Sequence, residues 1–114
     1  MLFKKIGRPQ FKGTLSNDIP ENVKDNTIYV VGEKSFKWVA VFRCPCGCRE
    51  LIQLNLLEGG ESTWRVTIHR NKFVTIRPSI WRTAGCKSHF TIKRGYLNWV
   101  HEYPYVGNFS DGKD

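Results

Sequence analysis

The feature that most constrains this chain is a run of three cysteines within five residues, Cys44-Pro45-Cys46-Gly47-Cys48. A second group follows later in the chain, where Cys86 and His89 are spaced as Cys-x-x-His. Zinc favours four tetrahedral ligands drawn from thiolate sulfur and imidazole nitrogen, and clustered cysteines at short spacings are typical of such sites. The sequence therefore predicts one structural zinc ion. The candidate ligands are Cys44, Cys46, Cys48, Cys86 and His89.

Five candidates compete for four coordination positions. Either the three clustered cysteines bind the ion together with Cys86 or His89, or two of them bind it together with both. The set preferred from the sequence is the three clustered cysteines plus His89, although a ligating histidine and a neighbouring one look alike in one dimension. A full set of sulfur-rich ligands leaves no open position for water or substrate, so we expect the metal to be structural. Ordinary buried thiols are the main alternative.

Short segments rich in β-branched and aromatic residues, separated by turn residues, predict strands and hairpins. The alternation of Ile52, Leu54 and Leu56 with polar residues indicates a strand with one buried face. The cysteine run lies between two such segments and is predicted at a hairpin tip. We expect an all-β domain of mainly antiparallel hairpins, either zinc-ribbon-like or a small β-sandwich, with one structural metal site. The predicted strand segments are 27–31, 37–43, 50–56, 64–69, 73–76, 89–93 and 96–100.

A chain of 114 residues has room for one domain and one modest core. Residues 1–26 show no sustained period and are interpreted as a basic N-terminal segment packed on, or leading into, a zinc-stabilised β domain over 27–106. Residues 107–114 are interpreted as a polar C-terminal tail. Residues 77–85 are interpreted as a connector, because Pro78 argues against a central strand there.

Charge and hydropathy define the broad class. The formal charge is +8, which permits attraction to phosphate backbones, anionic lipids or acidic protein surfaces without selecting among them. The N-terminus lacks the apolar stretch of a secretory signal, and no run approaches membrane-spanning length. A cytoplasmic protein with no membrane partner is expected. In that reducing compartment cysteines serve as ligands or thiols rather than disulfides.

No catalytic motif is recognisable. His69 and His101 have no carboxylate or serine beside them, and the chain has no phosphate-cradling glycine loop, nucleophile elbow or His-Glu-x-x-His helix. We therefore expect a non-enzyme without catalytic residues. Basic and aromatic side chains could instead form a nucleic-acid surface. These are Lys4, Lys5, Arg8, Lys12, Lys87, Lys93 and Arg94, with Phe3, Phe11 and Tyr96 as stacking faces.

Several motifs occur together in a specific order over residues 27–100. They are Tyr29-Val30-Val31-Gly32, the cysteine run, Trp64, Pro78-Ser79-Ile80, Gly85-Cys86-Lys87-Ser88-His89-Phe90, and Gly95 followed by Trp99. In these features the chain resembles an uncharacterised family of small bacterial and phage proteins. Some members are encoded beside genes for bacterial ubiquitin-like conjugation, including activating and conjugating enzyme homologues and a metallopeptidase. Arg49 departs from the pattern, where glycine is expected.

The resemblance implies an accessory or adaptor role in such a pathway and assigns no activity. Combined with the residues, it leads to one expectation: a non-enzymatic, zinc-stabilised binding module whose edge strands or basic face dock a protein partner, including components of a ubiquitin-like pathway. The alternative is a nucleic-acid-binding zinc ribbon protein of bacterial or phage origin.

Overall fold

The computed structural model describes residues 8–57, 63–82 and 85–100, and within these ranges all regular structure is β-strand. The all-β prediction is therefore confirmed. The strands are β1 (Lys12–Ser16), β2 (Thr27–Glu33), β3 (Phe36–Arg43), β4 (Leu51–Asn55), β5 (Arg65–Ile68), β6 (Val74–Trp81), β7 (His89–Lys93) and β8 (Tyr96–Trp99).

The strands form two four-stranded sheets. The first has the order β1-β2-β3-β4 and the second the order β5-β6-β7-β8. Every pairing is antiparallel except that of β1 with β2, which is parallel. The three predicted hairpins are present as β3–β4, β5–β6 and β7–β8, and the cysteine run lies at the tip of the first. Neighbours along the chain thus pair within each sheet.

One hydrophobic core lies between the two sheets and makes the domain a β-sandwich. Alternation decides which residues enter it: in β4, Ile52 and Leu54 are buried and the residues between and beside them are exposed. Phe11 and Phe42 meet edge to face, with ring centroids 6.4 Å apart. The core consists of Phe11, Ile28, Val30, Ala40, Phe42, Cys44, Ile52 and Leu54 from the first half of the chain, and Val74, Ile76, Ile80, Phe90 and Ile92 from the second.

The N-terminal segment contains a strand that the sequence did not indicate. β1 pairs with β2, and Phe11 immediately before it is only 1% exposed. The strand reads Lys-Gly-Thr-Leu-Ser and buries only Gly13 fully, so no hydrophobic alternation marks it. Backbone pairing holds it at the sheet edge, where a mostly polar strand is tolerated. The first predicted strand is therefore the second in the structure.

The interpretation of 77–85 as a connector is wrong over its first half. β6 continues to Trp81 and is central, since it pairs with both β5 and β7. Proline is compatible here because the ladder with β7 shifts register between Ile76 and Ile80, so that Pro78 lies in the irregularity rather than in a regular rung. The Arg77–Pro78 peptide bond is cis.

Some expectations fall on residues outside the described ranges. These are the polar tail over 107–114, His101, and the basic and aromatic side chains of Phe3, Lys4 and Lys5. Within the described ranges no helix is long and apolar enough to cross a membrane.

Candidate metal centre and a serine–histidine pair

The cysteine run turns tightly after β3. The Cys44 N–H donates to the Glu50 carbonyl at 2.8 Å, which extends the β3–β4 ladder by one step. Gly47 has a φ of 110° and Arg49 a φ of 59°, both in the left-handed region that an extended strand cannot use. The chain therefore folds back over these residues and brings the three thiols to one side.

Cys86 completes a group of four sulfurs. Its Sγ lies 3.7 Å from the Sγ of Cys44, and the four cysteine sulfurs all lie within 4.8 Å of one another. Around a tetrahedral zinc with Zn–S bonds of about 2.3 Å, neighbouring sulfurs are about 3.8 Å apart. The cluster of Cys44, Cys46, Cys48 and Cys86 is therefore compact enough to hold one metal ion.

The four thiols differ in their protonation. Burial raises the pKa of Cys44 to about 12. Hydrogen bonds from the Ser88 hydroxyl and the Cys48 backbone N–H lower the pKa of Cys46 to about 6. The Ser88 hydroxyl, 3.1 Å from the Cys86 sulfur, likewise lowers the pKa of Cys86. Cys46 and Cys86 therefore lose their protons more readily than the buried Cys44, whose proton a metal must displace.

Arg82 joins the connection between β6 and β7 to the tip of the β3–β4 hairpin, beside the cysteine cluster. One guanidinium nitrogen donates to the Cys86 sulfur at 3.8 Å, and the other forms an ion pair with Glu50 at 2.9 Å. The Arg82 backbone N–H donates to the Ser88 carbonyl at 2.8 Å. The connection between β6 and β7 is therefore held against the tip of the β3–β4 hairpin by contacts at the cluster.

His89, the fifth candidate ligand, lies outside this sulfur group. Its Nε2 is instead 2.9 Å from the Oγ of Ser79, a hydrogen-bonding distance. The imidazole also stacks on the indole of Trp81, with ring centroids 4.8 Å apart and an interplanar angle of 6°. The structure thus groups the four cysteines with one another and places His89 with a serine.

The sheet explains why Ser79 and His89 meet. Trp81 lies directly opposite His89 in the β6–β7 ladder, and Ser79 precedes Trp81 by two residues. Ile80 between them points into the core, so Ser79 and Trp81 lie on the outer face with His89. Both members of the pair are half-buried. A hydroxyl within hydrogen-bond reach of an imidazole is the arrangement in which histidine activates a serine nucleophile.

The sequence interpretation missed this pair. It looked for a serine beside His69 and His101, whereas the partners are ten residues apart and meet only through pairing of β6 with β7. The available signal was that both residues belong to motifs quoted for the family resemblance, Pro78-Ser79-Ile80 and the segment ending at Phe90.

His69 makes a different kind of contact. Its Nε2 lies 2.7 Å from the hydroxyl of Thr75, which is 7% exposed and also accepts a hydrogen bond from the Arg94 backbone N–H. The hydroxyl links two turns of the second sheet and is shielded from solvent. This histidine is therefore structural.

The proposed stacking surface for nucleic acid loses one of its aromatic residues. Phe11 is buried in the core and presents no face to solvent. The basic residues Lys87, Lys93 and Arg94 are exposed, as expected for solvated charges.

A family model described as a bacterial ubiquitination-like system serine protease, BubE, matches residues 15–100. The match includes the four clustered cysteines, Ser79 and His89. No curated protein and no solved structure matches the chain. Because the family model spans most of the 114 residues, the chain belongs to the BubE family.

Proposed function

We propose that this member of the BubE family is a serine peptidase of a bacterial ubiquitination-like system, with Ser79 as nucleophile and His89 as general base. The observation that carries the proposal is the 2.9 Å approach of the Ser79 hydroxyl to the His89 Nε2 on a partly exposed face of the second sheet. The family description names the same class of enzyme. A peptidase acting within such a system has protein substrates.

The reaction follows from the positions of the two side chains. The Ser79 Oγ attacks the carbonyl carbon of the substrate while the His89 Nε2 accepts the hydroxyl proton. Histidinium then gives that proton to the leaving amine as the C–N bond breaks, which leaves an acyl ester on Ser79. Water, deprotonated by the same nitrogen, hydrolyses the ester and restores the hydroxyl. Trp81 holds the imidazole plane during both proton transfers.

The metal in this proposal is zinc, held by Cys44, Cys46, Cys48 and Cys86. Support comes from the mutual spacing of the four sulfurs, which suits tetrahedral thiolate coordination. Zinc would supply a crosslink between the β3–β4 tip and the connection that leads into His89. Since four thiolates fill the coordination shell, no reaction step passes through the ion. The alternative set with His89 as ligand would take the imidazole away from Ser79.

A non-enzymatic adaptor is the second candidate and was the expectation from the sequence. Large apolar side chains that reach solvent favour it, because exposed aromatic groups are typical of protein-binding surfaces. Trp38, Phe36 and Trp81 are the most prominent of these among the described residues. In contrast, the nucleic-acid alternative has only the net charge of +8 in its favour.

Fluorophosphonate labelling tests the proposal, because this reagent forms a covalent ester only with an activated serine hydroxyl. The zinc-loaded chain should gain one adduct, mapped to Ser79 by peptide mass spectrometry. Ser79→Ala should abolish the adduct, and His89→Gln should slow its formation by at least about a hundredfold, the usual contribution of general base catalysis. Ser35→Ala, in an exposed turn of the first sheet, is the matched control and should label like the parent.

Two results would contradict the peptidase. One is a correctly folded, metal-loaded chain that gains no adduct, and the other is an adduct that survives Ser79→Ala. Capture of a pathway protein by such an unreactive chain would support the adaptor instead.

A further inference from the structure

Two arginines lie directly opposite each other on the outer face of the second sheet. Arg65 of β5 and Arg77 of β6 are register partners, and both are exposed. Like charges directly opposite across an antiparallel pair destabilise it. Among the described residues the ion pairs are Arg49–Asp25 and Arg82–Glu50, so neither member of the Arg65/Arg77 pair is neutralised there. A pair of like charges with no ion-pair partner among the described residues suits a site for an anionic group.

The Arg65/Arg77 pair lies beside the serine–histidine pair. Arg77 precedes Ser79 by two residues in β6, and both side chains reach solvent, since Arg77 is exposed and Ser79 is half-buried. Two residues of chain span at most about 7 Å, which is also the span of two residues of an extended peptide. On the other side of Ser79 lie Trp81 and His89. A substrate carboxylate that reaches the arginines is therefore close to the bond under attack.

We propose that the Arg65/Arg77 pair selects substrates that carry an aspartate or glutamate within about three residues of the scissile bond. This inference rests on the proposed peptidase activity and specifies its substrate class. A guanidinium pair can bind a carboxylate through two-pronged hydrogen bonds, and the repulsion between the arginines is relieved only when the anion is present. The selectivity thus comes from charge complementarity on the β5 side of Ser79.

A pool of synthetic decapeptides tests the inference, with each acidic peptide paired to its Asn or Gln counterpart. The zinc-loaded chain is incubated with the pool, and the cleaved bonds are identified by mass spectrometry. Acidic members should be cleaved about 1.5-fold to fivefold faster than their amide counterparts, the size expected for a solvent-exposed ion pair. The preference should weaken with added salt.

Charge reversal provides the matched comparison. Arg65→Glu combined with Arg77→Glu should remove the acidic preference or invert it towards Lys and Arg, and fluorophosphonate should still label Ser79. Lys34→Glu, in the exposed turn between β2 and β3, makes a single charge reversal on the other sheet and should leave the preference unchanged.

The outcomes separate the two proposals. If fluorophosphonate does not label Ser79 in the parent chain, the proposed peptidase activity is overturned, and this inference with it. Labelling together with cleavage that ignores acidic residues, or a preference that survives charge reversal, overturns only the inference. If Ser79 labels but no peptide is cleaved, the same peptides are tested as competitors of labelling. The inference is also overturned if acidic peptides and their amide counterparts slow Ser79 labelling equally. It is overturned as well if an oligonucleotide slows labelling and no peptide does.

Discussion

The Nε2 of His89 lies 2.9 Å from the Oγ of Ser79, although ten positions separate the two residues in the chain. The connection between them carries Cys86, whose sulfur is 3.7 Å from that of Cys44 on the other sheet. The serine–histidine pair and the four-cysteine cluster therefore share one short segment. A change that displaces this segment should affect both, whereas a change to the imidazole alone should affect only the first.

The ligand set can be tested by substituting, one at a time, the two residues that compete for the fourth coordination position, Cys86 and His89. Cys86→Ser should lose zinc, because the sulfur belongs to the four-cysteine group. His89→Gln should retain one zinc per chain, since its ring contacts Ser79 and Trp81 instead. Elemental analysis of the purified chains gives the zinc content. Zinc loss in His89→Gln would return the assignment to three cysteines plus His89.

Metal affinity should fall steeply as the pH falls. Burial raises the pKa of Cys44 to about 12, so this thiol is protonated at neutral pH and must lose its proton when zinc binds. For each proton that zinc displaces, the apparent association constant falls about tenfold with every unit by which the pH is lowered. Titration against a competing chelator of known affinity at pH 6.5, 7.0 and 7.5 should give a slope of at least about one. A flat profile would show that Cys44 does not bind as a thiolate.

Trp81 should act as a positioning residue for His89. Its indole stacks on the imidazole at 4.8 Å while remaining 47% exposed, so its removal leaves little empty space in the core. Trp81→Ala should slow fluorophosphonate labelling of Ser79, and Trp81→Phe should restore much of the rate. The expected loss with alanine is about tenfold, consistent with an aromatic pair of about 0.5 to 1.5 kcal/mol.

An unchanged labelling rate in Trp81→Ala, or a rate that Trp81→Phe does not restore, would show that the stack has no bearing on the position of the histidine. Thr91→Ala is a suitable control, because it lies on the same face of β7 as His89 and is also only half-buried.

The hairpins could be predicted from the sequence because their information is local. In β4 the alternation of Ile52 and Leu54 with polar residues survives intact, and Arg94-Gly95 marks the β7–β8 turn. The Ser79–His89 pair could not be predicted in this way. Pro78 interrupts the strand pattern in the sequence although β6 continues through it, and the contact depends on which strands become neighbours. β1 could not be predicted for a related reason. Backbone pairing with β2 holds it in place, and its residues show no alternation of apolar and polar side chains.

Gly32 should be intolerant of any side chain. It has a φ of 140° at the point where the β2–β3 ladder shifts register, and a Cβ there would be forced against the Phe36 carbonyl. Because backbone atoms cannot move aside cheaply, Gly32→Ala should destabilise the fold by about 1 to 3 kcal/mol. Chemical denaturation of the zinc-loaded chain measures this. Glu33→Ala, at the exposed neighbouring position, should change stability by less than about 0.5 kcal/mol; equal losses would contradict the argument.

The two ion pairs among the described residues offer a matched test of how the cysteine cluster supports the serine–histidine pair. Arg82 is only 20% exposed and contacts both Glu50 and the Cys86 sulfur, whereas Arg49 pairs with Asp25 with both side chains largely in solvent. Arg82→Met should therefore destabilise the chain by about 1 to 2 kcal/mol and slow Ser79 labelling. Arg49→Met should cost less than about 1 kcal/mol and leave labelling intact, because exposed pairs contribute little.

The decisive measurement is the rate of Ser79 labelling in Arg82→Met and in Arg49→Met. It is made at a temperature where both variants are fully folded and zinc-loaded. A slower rate in Arg82→Met under those conditions means that the connection between β6 and β7 must be held in place for His89 to reach Ser79. Equal rates in the two variants would mean that zinc and the sheet pairing hold the histidine without Arg82.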